Sequence, residues 1–252
     1  MRLTVIGCAG SFANASSAAS CYLVEHEGVR IVLDLGNGAL GPLAAATDLR
    51  TLDAVLLSHL HADHCLDLTG MYVARKYHRD GPPPPLAVHG PTGTRRRIAD
   101  AYRTSPQEPV EGLDRIYRFL DHGTDEPVQI GPFTISVARV AHPVPAYAIR
   151  VAAGGRSLVY SGDTGPTDAL VDLARGCDLA LFEASFLSGE SNAKDLHMTG
   201  VEAGAAAAAA GAGRLVLTHL VAWNDQELTL AEGRSAFKGD VALATPGMVV
   251  DL

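Results

Sequence analysis

The sequence predicts an α/β fold built on mixed β-sheets. Hairpins and short apolar strands fill the first part of the chain, and strands alternate with helices later, an order typical of such folds. Apolar residues make up 47% of the 252 residues and charged residues 19%, which excludes a wholly disordered chain. We expect residues 1–252 to form a single domain.

Apolar runs that end in Gly or Asp predict the first strands. Leu3–Ile6 precedes a loop of small residues. Cys21–Glu25 and Arg30–Leu33 flank His26-Glu27-Gly28, which predicts a hairpin. Two further apolar strands are predicted over Ala54–Ser58 and Leu86–His89.

Strands and helices alternate in the later part of the chain. Tyr147–Ala152 and Ser157–Ser161 flank Gly154-Gly155, which predicts a second hairpin. Thr199-Gly200-Val201-Glu202 has capping-box spacing and predicts the start of an Ala-rich helix that ends at Gly211. The remaining predicted elements are strands over Phe133–Val140, Leu179–Glu183, Leu215–Thr218 and Val241–Ala244, and helices over Thr167–Arg175 and from Asn224 to Phe237.

Net charge and cysteine content bear on nucleic-acid binding and on the cellular compartment of the protein. The formal net charge of −8 argues against broad non-specific binding of nucleic acid. The four cysteines form no C-x-x-C pair, which predicts buried thiols in a reducing compartment. We expect a cytoplasmic protein without a membrane partner, because no apolar run reaches 18 residues and the first seven residues are too short for a signal peptide.

The segment Ser58-His59-Leu60-His61-Ala62-Asp63-His64 concentrates metal-ligand residues directly after a predicted strand. Imidazole and carboxylate groups suit zinc, iron and manganese. His59 and His61 are two residues apart and can point to the same side of an extended loop. Since a strand end supports such ligands rigidly, this segment predicts a metal site.

Three more ligand-type residues follow predicted strands elsewhere in the chain. His142 comes after Phe133–Val140, Asp163 after Ser157–Ser161, and His219 after Leu215–Thr218. Each would be unremarkable alone. Together with the His-rich segment they form a coherent set of metal ligands at strand ends.

This ordered set, H-x-H-x-D-H followed by His, Asp and His, resembles the metallo-β-lactamase superfamily. The resemblance covers nearly the whole chain and implies a four-layer αββα sandwich with two divalent ions between its sheets. Zn²⁺ is the expected metal, with Mn²⁺ or Fe²⁺ as alternatives. The resemblance also implies that His59, His61 and His142 hold one ion, that Asp63, His64 and His219 hold the other, and that Asp163 bridges them.

Further motifs resemble the ribonuclease Z branch of phosphodiesterases in this superfamily. That branch places a histidine beside the metals, and His197 occupies the matching position. It also inserts a tRNA-clamping arm between the third metal histidine and the bridging aspartate, whereas only 21 positions separate His142 from Asp163. The motifs are Leu33-Asp34-Leu35-Gly36-Asn37-Gly38, Val88-His89-Gly90-Pro91, Ser161-Gly162-Asp163-Thr164, Phe182-Glu183-Ala184-Ser185-Phe186 and His197-Met198-Thr199.

Residues 57–68 and Asp195-Leu196-His197 are similar to actinobacterial cyclic-AMP phosphodiesterases of this fold. This implies a binuclear metal-dependent phosphodiesterase that converts cAMP to 5′-AMP through metal-activated hydroxide, with Asp63 and His197 as catalytic residues. Three alternatives stay open: a ribonuclease Z-like endonuclease of tRNA 3′ ends, a non-catalytic metal-binding protein, and a hydrolase that uses the same hydroxide on a carboxylic or sulfuric ester. Related enzymes are often dimers, so a homodimer is a further expectation.

Several residues near the predicted site have two interpretations. His197 either stabilises or protonates a phosphate oxygen, or precedes a helix on the surface. Glu183 either orients His197 or is a structural carboxylate, and Asp34 either binds a ligand histidine or stabilises a turn. Trp223 and Phe186 follow strand ends and either stack on a nucleobase or pack in the protein.

Two other histidines are expected to be solvated. His26 lies in the predicted first hairpin turn, and His122 directly precedes Gly123.

Overall fold

Two β-sheets lie face to face in the computed structural model, which describes residues 1–123 and 126–252. Apolar side chains of both sheets fill the space between them, among them Val24 from one sheet and Ile149 from the other. Tyr22 and Tyr160 meet across this layer with ring centroids 4.9 Å apart. A helical layer covers the outer side of each sheet, so the predicted αββα sandwich is confirmed.

The first sheet has eight strands within the described part of the chain, in the order β15-β1-β3-β4-β5-β6-β7, with β2 beside β1. The strands from β4 to β7 run parallel to one another, and β3 forms the predicted antiparallel hairpin with β4. The bounds are β1 (Arg2–Ala9), β2 (Ala18–Ala19), β3 (Cys21–His26), β4 (Val29–Leu33), β5 (Ala54–Leu56), β6 (Leu86–Gly90), β7 (Tyr117–Asp121) and β15 (Val249–Asp251).

The second sheet has seven strands among the described residues, in the order β14-β13-β12-β11-β10-β9-β8. The strands from β11 to β14 are parallel, and β10 and β11 form the second predicted hairpin. The bounds are β8 (Val128–Ile130), β9 (Phe133–Arg139), β10 (Tyr147–Ala153), β11 (Arg156–Tyr160), β12 (Leu179–Glu183), β13 (Arg214–Thr218) and β14 (Asp240–Leu243).

Eight helices complete the described ranges. Those up to α5 flank the first sheet and the others flank the second. None of the helices in residues 1–123 and 126–252 is long and apolar enough to cross a membrane. The bounds are α1 (Leu40–Ala46), α2 (Ala62–Cys65), α3 (Leu68–Lys76), α4 (Thr94–Tyr102), α5 (Leu113–Ile116), α6 (Asp168–Ala174), α7 (Gly200–Ala210) and α8 (Gln226–Ala236).

The caps of the last two helices show how local sequence sets their starts. Thr199 and Glu202 form the predicted capping box of α7, and Gly211 ends this helix in the left-handed conformation. The helix predicted from Asn224 to Phe237 is α8, but its N-cap is Asp225, one residue after the predicted start. The Asp225 carboxylate accepts the backbone N–H groups of Glu227 and Leu228, because a carboxylate is a better acceptor than an amide beside the positive helix end.

Parallel strands of both sheets bring their carboxyl ends to one edge of the sandwich. Asp34 follows β4, Asp163 follows β11, and His219 follows β13. The carboxyl end of parallel strands is where α/β folds build their sites, because the loops that leave it face a crevice on a rigid frame. This edge therefore positions the candidate site.

Glycines let α7 and α8 approach closely. A Cβ atom added at Gly204 would lie 2.7 Å from the carbonyl oxygen of Gly233. We predict that Gly204→Ala lowers the free energy of unfolding by about 1–2 kcal/mol, because overpacking outweighs the gain of about 1 kcal/mol in helix propensity. Gly41→Ala in α1 is the control, since nothing lies within 4 Å of its added Cβ. Urea unfolding measures both, and a stabilised Gly204→Ala variant would contradict this packing.

Candidate metal centre

The His-rich segment, residues 58–64, connects β5 to α2 at the edge of the sandwich where the parallel strands end. Ser58 and His59 follow β5 and are buried, whereas His61 is exposed and precedes α2. Asp63 and His64 lie in α2 and are buried. The tight turn after an apolar strand therefore places four ligand-type side chains on one side of the chain, as the sequence predicts.

One group of donors combines three histidines with Asp163. Nε2 of His59 lies 3.0 Å from Nδ1 of His61, and Nε2 of His142 lies 3.3 Å from the same atom. Oδ2 of Asp163 lies 3.7 Å from Nε2 of His59. All four residues offer ligand atoms within 4.8 Å of one another, which suits a single divalent ion.

A second group combines Asp63, His64 and His219 with the same Asp163. Nε2 of His219 lies 3.2 Å from Nε2 of His64 and 3.1 Å from Oδ2 of Asp63. Oδ1 of Asp163 lies 3.3 Å from Nε2 of His64, and its Oδ2 lies 3.4 Å from Nε2 of His219. The structure thus brings together all seven residues that the sequence nominates, with Asp163 between the two groups.

The chemistry of this donor set fits cations. Asp163 is 2% exposed, and its Oδ1 accepts no hydrogen bond from the residues that the structure describes. An unpaired buried carboxylate oxygen is costly, and a divalent ion would satisfy it. The neighbouring imidazole nitrogens converge on the same space, so a cation would also give their lone pairs a common partner.

The pKa shifts of the histidines and aspartates in these groups also favour a bound cation. Burial lowers the pKa of His59 well below its usual range, and it lowers the pKa of His61 and His142, so these rings are neutral and can act as ligands. Burial raises the pKa of Asp63 and Asp163, but neighbouring histidines outweigh this effect and hold both pKa values below the usual range. Both carboxylates are therefore anionic.

The Asp34 carboxylate fixes the orientation of His64 from behind. It is fully buried, and its Oδ2 lies 2.7 Å from Nδ1 of His64. Asp34 also accepts hydrogen bonds from the backbone N–H and hydroxyl of Ser58 and from the Tyr160 hydroxyl, at 2.6–2.7 Å. Because Nδ1 of His64 donates to this carboxylate, Nε2 is left to face the cluster. The geometry matches the ligand-histidine interpretation of Asp34.

The Nδ1 atoms of His142 and His219 also have polar partners outside the two donor groups. Nδ1 of His142 lies 3.0 Å from the carbonyl oxygen of Leu196, and the Ser185 hydroxyl lies 2.7 Å from Nδ1 of His219. Such contacts fix the tautomer and the plane of a ligand histidine. Leu196 and Ser185 carry no metal-binding group, and for this reason the ligand motifs alone give no indication of their role.

His197 lies beside the metal-donor groups and pairs with Glu183. Its Nδ1 donates to Oε1 of the fully buried Glu183 at 2.8 Å and lies 3.9 Å from Asp163. The Glu183 carboxylate is fixed by the backbone N–H of Thr164 and by Ser185. Burial opposes protonation of His197, but the charge and hydrogen bond of Glu183 outweigh it and raise the pKa of His197 to about 9. The contact with Glu183 therefore favours the protonated form of His197, and the second ring nitrogen of His197 is free of Glu183.

The Phe186 ring and a cavity lie beside His197. The ring of half-buried Phe186 packs edge-on against His197 with centroids 5.1 Å apart. A cavity of about 310 Å³ opens beside the two rings. Trp223 is 72% exposed and does not pack in the core. The cavity is lined by Pro166, Phe186, Asn192, Ala193, Lys194, Asp195, His197 and Glu202.

The expectation that His26 and His122 are solvated is wrong. His122 is half-buried, and its Nε2 lies 2.8 Å from the carbonyl oxygen of Leu57. The His26 side chain is 20% exposed and packs near the Phe133 ring. Neighbours from distant parts of the chain cover both rings, and a local turn pattern cannot reveal such contacts.

Comparison with known proteins identifies the family. The sequence model of the β-lactamase superfamily domain matches residues 29–220. The chain belongs to this superfamily. A crystal structure of YhfI from Bacillus subtilis, a metallo-β-lactamase fold protein, superposes with a TM-score of 0.87 at 30% identity, and the match covers 99% of both chains.

Two sequence relatives locate the chain within the superfamily. It is 41% identical over 243 residues to the protein Rv1339 of Mycobacterium tuberculosis, covering 96% of this chain and 88% of the relative. It is 27% identical over 290 residues to a ribonuclease Z of Methanosarcina acetivorans, covering 94% of each. The chain is a metallo-hydrolase of this superfamily, so the resemblance to the metallo-β-lactamase superfamily is confirmed, and the similarity to ribonuclease Z agrees with the branch that its further motifs indicate.

The Asp34 carboxylate generates a prediction about metal affinity. We predict that Asp34→Asn weakens binding of Zn²⁺ by about 10- to 100-fold, because His64 loses the acceptor that fixes its tautomer. Competition with a chromophoric chelator measures the affinity. Tyr160→Phe is the control, since it removes one hydrogen bond to the carboxylate but leaves the contact with His64. Equal affinities in wild type and Asp34→Asn would show that this contact does not organise the site.

Proposed function

We propose that the protein is a binuclear metal-dependent phosphodiesterase that hydrolyses a small cyclic nucleotide, cAMP, to 5′-AMP. The observation that carries this proposal is His197, hydrogen-bonded to the buried Glu183 carboxylate and lying directly beside two metal-donor groups that share Asp163. Resemblance of residues 57–68 and Asp195-Leu196-His197 to cyclic-AMP phosphodiesterases supports the choice of substrate.

The proposed ligands divide as the two groups of donors do. His59, His61 and His142 would hold one divalent ion, and Asp63, His64 and His219 would hold the other. Asp163 would contribute to both, and Zn²⁺ suits this set, with Mn²⁺ or Fe²⁺ as alternatives. When bound, such a pair supplies a nucleophilic hydroxide near neutral pH and neutralises charge on the phosphate.

The side chains of the protein would handle the protons of the reaction. Hydrolysis of cAMP adds water to phosphorus and breaks the P–O3′ bond, so the departing O3′ requires a proton. His197 would donate that proton or stabilise a phosphate oxygen, because Glu183 occupies only one of its ring nitrogens. Asp63 is ionised and 7% exposed, and it would accept a proton from the attacking water.

The shape of the chain between the third histidine and the bridging aspartate favours a small substrate over tRNA. The β10–β11 hairpin fills this segment, and the tRNA-clamping arm expected in ribonuclease Z is missing from it. The match to the Methanosarcina ribonuclease Z runs over 290 positions against 252 residues here, so that relative contains residues without a counterpart in this chain. The cavity of about 310 Å³ beside His197 supports a nucleotide-sized ligand.

A non-catalytic metal-binding role is the weaker alternative. The two donor groups that share Asp163 do not include the Glu183–His197 pair, and burying the Glu183 carboxylate costs desolvation energy. A catalytic role explains why the fold maintains this pair.

Turnover of cAMP tests the proposed function directly. We expect the purified protein, supplied with Zn²⁺ or Mn²⁺, to convert cAMP to 5′-AMP, and His61→Ala to lose this activity because one donor group is incomplete. Chromatography of the nucleotides measures both. Metal-loaded protein that leaves cAMP intact but cleaves precursor tRNA would favour the endonuclease alternative.

A variant of His197 separates proton transfer from metal binding. We predict that His197→Ala lowers kcat by about 10²- to 10⁴-fold, as expected for loss of a general acid, while both metals are retained. Glu183→Gln should lower kcat less, because the imidazole stays but loses its charged partner. Metal analysis of each variant is the control. Unchanged turnover in His197→Ala would rule out the catalytic role.

A further inference from the structure

Two aromatic side chains form an exposed pair on the surface. The ring centroids of Phe12 and Trp223 are 5.5 Å apart, with an angle of 31° between the planes. Trp223 is 72% exposed and Phe12 41% exposed. The two residues come from loops far apart in sequence, and aromatic rings that pair while exposed are typical of binding surfaces.

The loop that carries Phe12 contacts the metal centre. The backbone N–H of Gly10 donates to the carbonyl oxygen of Leu220 at 3.0 Å, and that of Leu220 donates to Cys8 at 2.9 Å. The backbone N–H of Ser11 lies 3.3 Å from Nε2 of His219, the nitrogen that faces Asp63. Phe12 is therefore one residue from an atom in contact with a proposed ligand.

The loop that carries Trp223 is anchored to the same ligand. The Asn224 side-chain amide donates to the carbonyl oxygen of Ser185 at 2.7 Å, and the Ser185 hydroxyl lies 2.7 Å from Nδ1 of His219. Trp223 thus lies between two residues tied to the centre, His219 and Asn224. The two loops that carry the aromatic pair are therefore both connected to His219, one directly and the other through Ser185.

We propose that Phe12 and Trp223 form a stacking platform for the base of the nucleotide substrate. This inference rests on the proposed function and adds to it a specificity-determining element outside the metal ligands and the Glu183–His197 pair. A base presents a flat π-face to an exposed indole, and stacking of this kind contributes substantially to nucleotide binding. The phosphate would lie at the metal centre and the base on the platform.

The position of the pair favours a substrate over a second copy of the chain. The Phe12 loop contacts His219 through Ser11, and the Trp223 loop is connected to His219 through Asn224 and Ser185, so a protein partner seated on the pair would lie close to the site. In the proposed binding mode, one nucleotide would span the platform and the centre. Association of two copies through this surface is therefore an outcome of the test rather than the proposal.

The fluorescence of Trp223 tests the platform without turnover, because it is the only tryptophan in the chain. We expect 5′-AMP to change the fluorescence of the metal-loaded protein in a saturable manner, and ribose 5-phosphate to leave it unchanged. A response to both ligands, or to neither, would overturn the proposal.

Kinetics of variants provide the second readout. Trp223→Ala should raise KM for cAMP by roughly 5- to 100-fold with little change in kcat, since base stacking supports binding rather than proton transfer. Trp223→Phe should recover most of this loss. Tyr77→Ala is the matched control, because Tyr77 is a 65% exposed aromatic residue that has no contact with the metal-centre residues among those described, and it should leave KM unchanged.

The outcomes separate the platform from the proposed function. An unchanged KM in Trp223→Ala, a loss confined to kcat, or a dimer that dissociates in this variant with KM unaltered would each overturn the platform. Base-dependent fluorescence in a protein that cannot hydrolyse cAMP would support the platform and refute the proposed reaction. Hydrolysis of cAMP with Trp223 fluorescence insensitive to 5′-AMP would do the reverse.

Discussion

One buried carboxylate, that of Asp34, links the two sheets to the metal centre. It lies at the end of β4, accepts hydrogen bonds from Ser58 after β5 and from Tyr160 on the second sheet, and contacts Nδ1 of His64. Desolvation makes a buried carboxylate expensive, so its partners must stay in place. The same side chain consequently connects the two sheets and fixes the direction of His64.

Two other carboxylates of the site are buried like that of Asp34. Asp163 and Glu183 are buried carboxylates as well, and each faces a histidine on the centre side. Carboxylates that lie so close together require compensating positive charge. Protonated His197 would supply part of it, and divalent ions would supply the remainder. Binding of the proposed anionic phosphodiester and stability of the folded state would thus depend on one distribution of charge.

The sequence was most informative where ligand chemistry coincides with a strand end. His142 and His219 follow apolar strands, so their approach to His59 could be predicted from the order of elements. For Asp34 and Glu183 the sequence left two interpretations each, because their hydrogen bonds depend on contacts between distant parts of the chain. Phe12 lies in a loop of small residues without a periodic signal, and its pairing with Trp223 arises from tertiary structure alone.

The central claim is that two divalent ions share Asp163 between two sets of histidines. Crystallographic data collected at the absorption edge of the bound metal test it most directly. We predict two anomalous peaks per chain, one among His59, His61 and His142 and the other among Asp63, His64 and His219, with Asp163 touching both. A single peak, or two peaks of which Asp163 contacts only one, would contradict the account.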